Sequence, residues 1–186
     1  MEKTITIGNQ VWTSKNLDVA TYRNGDVIPQ VQDVSAWRNL TTGAWCYYDN
    51  DASNGTKYGK LYNWYAVNDS RGLAPNGFHI PTDAEWTILT DYLGGELAAG
   101  TKMKSSTGWD KNCNGTNSSG FAGFPGGCRD GDGTFYHIGR LGKWWSATEN
   151  DSGNAWDRSL LYFSGRVNGS YYDYRLYAFS VRCLGD

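Results

Sequence analysis

The sequence predicts an α+β fold in which two helices pack on a twisted antiparallel sheet with long loops. Helical signatures occur only in the first part of the chain, before about residue 105, and strand-like runs fill the last third. Between them, Gly, Asn and Ser dominate to about residue 134. Helices and strands that are segregated along the chain are typical of this fold class.

Two early segments have recognisable patterns. The run "TITIGNQVW" alternates apolar and polar residues around a Gly-Asn break, which predicts an N-terminal hairpin. The run "YGKLYNWYAVND" predicts a first helix, because four of its residues are spaced along one helical face: Leu61, Trp64, Tyr65 and Asn68.

The clearest helix signature lies in "PTDAEWTILTDYLGG". Thr82 is the expected N-cap, and Glu85 three residues later completes a capping box that satisfies two orphan backbone amides. The pair Gly94-Gly95 is expected to end the helix. Its predicted buried stripe consists of Trp86, Leu89 and Leu93.

The closing third predicts strands in "TFYHIG", "KWWSAT", "RSLLYF" and "YAFSVRCL". Turns are expected at residues 139–142, at residues 150–153 and at Asn168-Gly169. An Asn-Gly pair predicts a type I′ hairpin, because both positions tolerate positive φ. We expect a framework of large side chains to be largely buried: Trp86, Leu89, Trp156, Phe179 and Val181.

Length and composition favour one domain, residues 1–186, and restrict its partners. The net charge is −2 with scattered Lys and Arg, which argues against a nucleic-acid surface. No apolar run approaches the ~20 residues that span a bilayer, so we expect no membrane insertion. The pattern of the first residues predicts a strand and not a signal peptide. The abundance of Gly, Asn, Ser, Tyr and Trp nevertheless indicates an extracellular, cell-surface or virion-surface protein.

Four cysteines have no spacing that would converge on a zinc ion. Cys113 and Cys128 bracket the glycine-rich segment "CNGTNSSGFAGFPGGC", and we predict a disulfide between them. The alternative is that both are reduced thiols packed as small hydrophobic groups. The pairing of Cys46 and Cys183 is left open.

Signs of catalysis are weak, and the sequence indicates a non-enzyme without a cofactor. The two histidines, His79 and His137, lie in different elements, and no nucleophile elbow, zinc-binding or phosphate-binding motif is present. Asp83 and Glu85 suit a helix N-terminus better than an acid/base pair. Cys183 lies in a strand-like run that favours burial.

One acidic loop allows two interpretations. In "RDGDGTF", Asp130 and Asp132 are spaced as in calcium loops, but no Glu follows where an EF-hand requires it. A hairpin turn is the favoured interpretation, because Asp-Gly is common turn chemistry.

Several motifs, in order, match a known family: "AWCYYDND", "YGKLYNWYAV", "APNGFHIPTDAEW", "SGFAGFPGGCRDGDGTFYHIG", "WWSATEN" and "FSVRC". They closely resemble the major paralogous domain named for Fibrobacter succinogenes, from about Ile5 to Cys183. The resemblance implies a C-type lectin-like fold and a secreted or surface module. The sequence departs from the family pattern at Ala74, where Cys is common, and at Cys128, which is commonly absent.

The run "HIPTDAEW" is also similar to a motif of the formylglycine-generating enzymes, a related lectin-type fold. That group uses a cysteine pair close to its C-terminus, whereas Cys183 stands alone there. A formylglycine-type activity is therefore the least favoured hypothesis.

The segment "SGRVNGSYYDYRLYAFSVRC" combines Tyr, Ser, Gly, Asn and Arg. These residue types are common in antibody paratopes, where Tyr offers rigid contact area at low entropic cost. In a C-type lectin-like fold the late strands form the ligand-facing surface, so residues 157–177 are expected to bind a protein or glycan, as in an adhesin. The alternative is a structural domain of a larger surface protein with no ligand of its own.

A sharper hypothesis is that this surface is varied by a diversity-generating retroelement of a bacterium or phage. Randomising the adenines of Asn codons that end in a pyrimidine never yields Lys, Glu, Gln, Met or Trp. None of these five occurs in residues 157–180, although they make up 26 of the 186 residues. The alternative is a fixed surface rich in aromatic residues.

The predicted ligand-binding residues lie where the related pattern is rich in asparagine, and most are expected on one contiguous exposed face. They are Asp157, Ser159, Leu161, Phe163, Ser164, Arg166, Asn168, Gly169, Ser170, Tyr172, Asp173, Tyr174, Leu176 and Tyr177.

Overall fold

The computed structural model describes residues 3–169 and 172–186, and it confirms an α+β fold. Five α-helices lie in these residues, where two were expected. They are Val34–Arg38 (α1), Ala52–Tyr58 (α2), Trp64–Val67 (α3), Asp83–Tyr92 (α4) and Glu96–Met103 (α5). Single 3-10 turns occur at Tyr48–Asn50 and Asp110–Asn112.

The strands are short except for two. In chain order they are Thr4–Ile7 (β1), Gln10–Thr13 (β2), Trp45–Cys46 (β3), Leu61–Asn63 (β4), Phe78–His79 (β5), Cys128–Arg129 (β6), Phe135–Tyr136 (β7), Leu141–Glu149 (β8), Asn154–Leu161 (β9), Val167–Asn168 (β10), Tyr172–Tyr174 (β11), Ala178–Phe179 (β12) and Leu184–Gly185 (β13).

These strands form three antiparallel sheets in the described part of the chain. The first has the order β1-β2-β13-β5, so the predicted N-terminal hairpin pairs with the last strand. The second contains β8 on one side of β9, with β10 and β11 on the other side. The third has the order β3-β4-β12-β6-β7.

The predicted capping box opens α4. The Thr82 hydroxyl accepts the Glu85 amide at 3.3 Å, and the Glu85 carboxylate accepts the Thr82 amide at 2.8 Å. The predicted stripe faces the core, and Gly94 and Gly95 both take positive φ just beyond the helix. The helix signature therefore predicted both ends of α4.

The helix predicted over "YGKLYNWYAVND" is largely wrong. Leu61–Asn63 forms β4, which pairs with β3 and β12, and only one helical turn, α3, follows it. The Asn63 side-chain oxygen accepts the Ala66 amide at 3.1 Å and the Ala44 amide at 2.9 Å. This side chain both caps the turn and holds the neighbouring segment, so tertiary pairing overrides the helical spacing.

The glycine-rich region after α5 lacks long elements but is fixed by backbone hydrogen bonds. The Ser105 amide donates to the Gly123 carbonyl at 2.9 Å, and the Gly115 amide donates to the Ser105 carbonyl at 3.0 Å. The Thr116 amide also donates to the Thr101 carbonyl at 2.9 Å. Long loops in compact domains are commonly functional or held in place by other contacts. This loop is held in place by backbone hydrogen bonds.

The core contains the predicted framework with one exception. Trp86, Leu89, Phe179 and Val181 are buried, which confirms their prediction. Trp156 is only half-buried, because it faces the same side of the second sheet as Tyr172. Among the residues that the structure describes, no helix combines the length and apolar character needed to cross a membrane.

In the described part of the chain, one isolated β-bridge joins the second and third sheets. Trp144 of β8 and Ser180, directly after β12, form a parallel bridge, in which the Trp145 amide donates to the Ser180 carbonyl at 3.2 Å. This bridge holds the C-terminal part of the tyrosine-rich segment (residues 164–183) beside β8.

Candidate functional site

The tyrosine-rich segment forms one edge of the second sheet. After β9 the chain turns at residues 162–165, and β10 and β11 then pair in succession with β9. Three residues separate Asn168 from Tyr172, but two separate their partners Ser159 and Trp156. The pairings of β10 and β11 with β9 are therefore offset by one residue. The predicted hairpin turn at Asn168-Gly169 is wrong.

Gly169 is required for a close approach. A Cβ atom on Gly169 would lie 2.9 Å from Nε of Arg158. The Arg158 guanidinium donates to the Gly169 carbonyl at 3.1 Å and pairs with Asp83 at the start of α4. The Asn-Gly pair thus marks the point where the edge strand passes a buried guanidinium.

The predicted binding residues do not share one face. Side chains alternate across a strand, and the register puts one set towards the core. That set is Asp157, Ser159, Leu161, Asn168 and Asp173. Tyr172 and Tyr174 lie on the opposite face. Asp157 is 0% exposed and Ser159 is 7% exposed. The prediction of one contiguous exposed face is therefore wrong, and these two residues belong to the interior.

The other predicted residues differ in exposure. The exposed ones are Phe163, Arg166, Tyr172 and Tyr174. The partly buried ones are Leu161, Ser164, Asn168, Gly169, Asp173, Leu176 and Tyr177. Ser170 lies outside the described residues. Leu161, Phe163 and Leu176 are each partly in water, as expected for a binding surface.

A groove forms where β11 turns towards β12. We call it the tyrosine groove; it has a volume of about 480 Å³ and is lined by Tyr65, Gly131, Asp132, Gly153, Tyr174, Arg175, Leu176 and Tyr177. The rings of Tyr174 and Tyr177 meet edge to face with centroids 5.7 Å apart. Tyr177 in turn packs on Phe179, at 6.2 Å between centroids. The exposed tyrosine is therefore held by a ring anchored in the core.

Backbone and guanidinium contacts fix the walls of the tyrosine groove. The Trp64 amide donates to the Arg175 carbonyl at 2.9 Å, and the guanidinium lies 4.7 Å from the Trp64 ring centroid. Arg175 also donates to the Asp151 carbonyl at 2.7 Å and pairs with Glu149. Gly131 permits close packing, because a Cβ there would lie 3.2 Å from the Tyr177 ring.

A charged cluster lies beside this groove. Lys143 of β8 pairs with Asp173, and its Nζ lies 3.5 Å from Oδ2 of the buried Asp157. Neither carboxylate oxygen of Asp157 makes a hydrogen bond in the described structure. Burial raises the pKa of Asp157 well above its usual value, and the Lys143 charge opposes this only in part. Burial alone would lower the pKa of Lys143, but Asp157 and Asp173 raise it.

Carboxylates and a phenol extend the cluster towards the groove. Burial, together with the charges of Asp132 and Asp173, raises the pKa of Asp130. Burial and the charges of Asp130 and Asp173 raise the pKa of Tyr177. Carboxylates of the cluster therefore lie close to Tyr177, and Asp132 itself lines the tyrosine groove.

The acidic loop is a turn, as the sequence favoured. The Asp130 amide donates to the Thr134 carbonyl at 2.9 Å, and the Asp132 carboxylate accepts the Thr134 amide at 2.8 Å. No group of three or more Asp, Glu, His or Cys side chains arranged to hold a metal ion is found among the described residues.

The predicted disulfide between Cys113 and Cys128 is absent, and both are free thiols. Cys128 lies in β6, with Sγ 3.8 Å from the Tyr136 carbonyl oxygen. Cys113 follows a 3-10 turn, with Sγ 3.7 Å from the Lys111 carbonyl oxygen. Sheet pairing fixes the position of Cys128, and backbone hydrogen bonds fix the loop that carries Cys113. The loop is therefore held without a covalent link.

The two histidines lie in separate surroundings. His79 contacts Glu85 at 3.0 Å and Asp186 at 2.8 Å, while His137 precedes β8 with φ of 68°. Glu85 is already engaged by the capping box. These contacts are consistent with a role of His79 in joining α4 to the C-terminus.

Sequence reasoning missed the residues that lie outside the tyrosine-rich segment. Lys143 has no sequence signal beyond its place in a strand, and the spacing of Tyr65 indicates only a helical face. Arg175 lies within the tyrosine-rich segment, but its hydrogen bond and cation–π contact involve Trp64, which is far away in the chain. Only Asp130 and Asp132 carried a recognisable signal, which was that of a turn.

A second aromatic feature lies at the β9–β10 turn. Phe163 is 69% exposed, and its ring meets Tyr162 edge to face at 5.2 Å. A hollow of about 220 Å³ beside it is lined by His137, Arg140, Leu141, Leu161, Tyr162 and Phe163. Phe163 therefore lines this hollow and Tyr174 lines the tyrosine groove, whereas the exposed Tyr172 lines neither.

Comparison with known proteins gives one family. No curated protein and no solved structure matches the chain. The family model of the Fibrobacter succinogenes major domain matches residues 5–184, which include every strand of the three sheets except the ends of the first and last. The chain belongs to the Fibrobacter succinogenes major domain family.

Proposed function

We propose that this protein is a recognition domain that binds a protein or glycan ligand through the tyrosine groove. The observation that carries the proposal is the pair Tyr174 and Tyr177, which presents aromatic area on a rigid framework. Tyr174 is 61% exposed, whereas tyrosine as a residue type is intermediate in its tendency to be buried. Tyrosine is also a common energetic anchor at binding interfaces.

The proposal includes a C-type lectin-like architecture, in which late strands present the ligand-binding surface. The groove is built from β11, the turn before β12 and the β6–β7 turn, in agreement with that arrangement. Such a module would act outside the cell or on a virion surface, and it needs no catalytic group.

The proposal includes diversification of this surface by a retroelement. The varied positions would be those at which a substitution does not disturb folding. Replacement of Asp157 would disturb a buried charge pair. Exposed positions can vary at little cost to folding. These are Phe163, Arg166, Tyr172 and Tyr174. A near-identical genomic repeat with adenines at these codons is the expected finding, and its absence would leave a fixed surface.

The binding test is a screen of the labelled domain on glycan and protein arrays, followed by titration of any hit. The variant Tyr174→Ala/Tyr177→Ala should weaken binding at least tenfold, because each tyrosine anchor commonly contributes 1–2 kcal/mol or more. Tyr92→Ala is the matched control, since Tyr92 is 64% exposed on α4. Equal loss in both variants, or retained affinity in the double variant, would overturn the assignment to this groove.

A further inference from the structure

A second concave site lies away from the tyrosine groove and shares no lining residue with it. Its volume is about 370 Å³, at the lower end of the range of small-ligand sites. The described lining residues are Ser14, Lys15, Asn16, Thr56, Lys57, Ala122, Phe124 and Arg182. Three of these are cations and none is a carboxylate.

Arg182 forms the inner wall of this cavity and is only 1% exposed. Its Nη1 donates to the Thr13 and Phe121 carbonyls, both at 2.8 Å. Its Nε and Nη2 share the side-chain oxygen of Asn16, at 3.2 and 3.1 Å. A guanidinium has five N–H groups, and these contacts occupy four. In the described structure one N–H of Nη2 has no acceptor.

The guanidinium also has no counter-ion among the described residues. Burial lowers the pKa of Arg182 to about 9, and only the Cys183 thiol opposes this. Buried charges are normally paired, because desolvation of an isolated ion is costly. Asn16 cannot take a further bond, since its oxygen also accepts the Trp144 indole N–H at 2.8 Å.

Two lysines stand at the mouth of the cavity. Lys15 and Lys57 are exposed, and neither forms an ion pair within the described residues. The Lys57 ammonium lies 4.9 Å from the Tyr58 ring centroid and 5.7 Å from that of Phe124. These rings hold the ammonium near the cavity while leaving its N–H groups available.

We propose that this cavity, bounded by Lys15, Lys57 and Arg182, binds a small oxyanion: the carboxylate, sulfate or phosphate group of a small ligand. The planar guanidinium offers an N–H donor to an oxygen, and the two ammonium groups add charge at the entrance. The hydroxyls of Ser14 and Thr56 offer further hydrogen-bond partners. The site does not depend on the tyrosine groove, so either can fail without the other.

Isothermal titration calorimetry of the whole chain with sodium sulfate, phosphate and glucuronate tests the proposal, with sodium chloride at matched ionic strength as the reference. At least one oxyanion should bind with saturation, and amide NMR signals of residues 14–16 and 122 should shift. Lys15→Gln/Lys57→Gln should weaken this binding at least tenfold. The three anions distinguish a carboxylate site from a sulfate or phosphate site.

Lys111→Gln is the matched control, because Lys111 is an exposed lysine outside the cavity. It should retain full oxyanion affinity. Both lysine variants replace exposed residues and are expected to fold, so the test does not require a change at Arg182. Saturation by none of the three anions, or equal affinity in the cavity variant and the Lys111 control, would overturn the proposal.

Discussion

At the scale of single residues, Asp157 shows how a polar side chain in a surface-like segment becomes part of the interior. Its carboxylate faces Lys143 from the core side of β9, with no hydrogen bond to either oxygen in the described structure. Removal of one partner from such a pair leaves an uncompensated charge. Asp157 therefore constrains how far the segment around it can vary.

Asp157→Asn is expected to change how stability depends on pH. Because burial raises the pKa of Asp157, the folded chain binds more protons than the unfolded chain, in which a free Asp has a pKa of about 3.9. The wild-type protein should therefore lose stability from this group as the pH rises from about 4 through the folded pKa. The variant should lack this loss, so its stability relative to wild type should increase over that window.

Urea unfolding at several pH values between about 4.5 and 8 measures this difference in the free energy of unfolding. Asp91→Asn, at an exposed carboxylate on α4, is the control and should track the wild type. A stability difference between Asp157→Asn and wild type that stays constant with pH would contradict the prediction.

At the scale of elements, the edge of the second sheet is organised by the approach of Arg158 to the edge strand. Arg158 projects from β9 towards α4, where its guanidinium pairs with Asp83 and donates to the Thr87 hydroxyl at 3.1 Å. The edge strand must pass this group, and Gly169 lies at the crossing. Gly169 therefore lets the edge strand pass close to the Arg158 guanidinium.

Gly169→Ala should destabilise the domain by roughly 1–3 kcal/mol, the usual range when added volume forces a packed group to move. The new Cβ would lie 2.9 Å from Nε of Arg158, which is held by hydrogen bonds. Thermal unfolding of the two forms measures the change. Gly153→Ala is the matched control, because its Cβ would meet only the Asp151 side chain, at 3.6 Å. A comparable loss in both variants would contradict a specific clash.

At the scale of the whole molecule, the three sheets are joined by hydrogen bonds and apolar packing. The first sheet pairs the N-terminal hairpin with β13, and the Ser180 bridge joins β8 to the end of β12. The described residues include three clusters of buried apolar side chains among the sheets and helices. This arrangement holds the long loops without the disulfide that we expected.

Reducing agent should therefore leave the melting temperature of the domain unchanged. Cys113 is partly exposed and should be alkylated in the native state. Cys46 and Cys128 should react only on unfolding, because both are buried and burial raises the pKa of each thiol to about 12. Mass spectrometry after alkylation measures this order. A peptide that links Cys113 to Cys128 under non-reducing conditions would contradict it.

The sequence by itself determined the features that depend on neighbouring residues. The capping box and the Gly94-Gly95 stop defined α4, and the alternation around Gly8-Asn9 defined the β1–β2 hairpin. Local hydrogen bonds and backbone preferences are encoded within a few positions, so they can be recognised from one chain. The family was likewise recognisable from its motifs.

Only the tertiary structure decided which side chains of the tyrosine-rich segment face outward. A strand places alternate residues on opposite faces, and a shift of one residue exchanges those faces. The pairings of β10 and β11 with β9 are offset by one residue, and this offset makes such a shift. The tyrosine groove likewise needs Tyr65 and Gly131, which long-range pairing brings beside Tyr177. Contacts between such distant positions leave no pattern in a single sequence, because each depends on the packing of the whole chain.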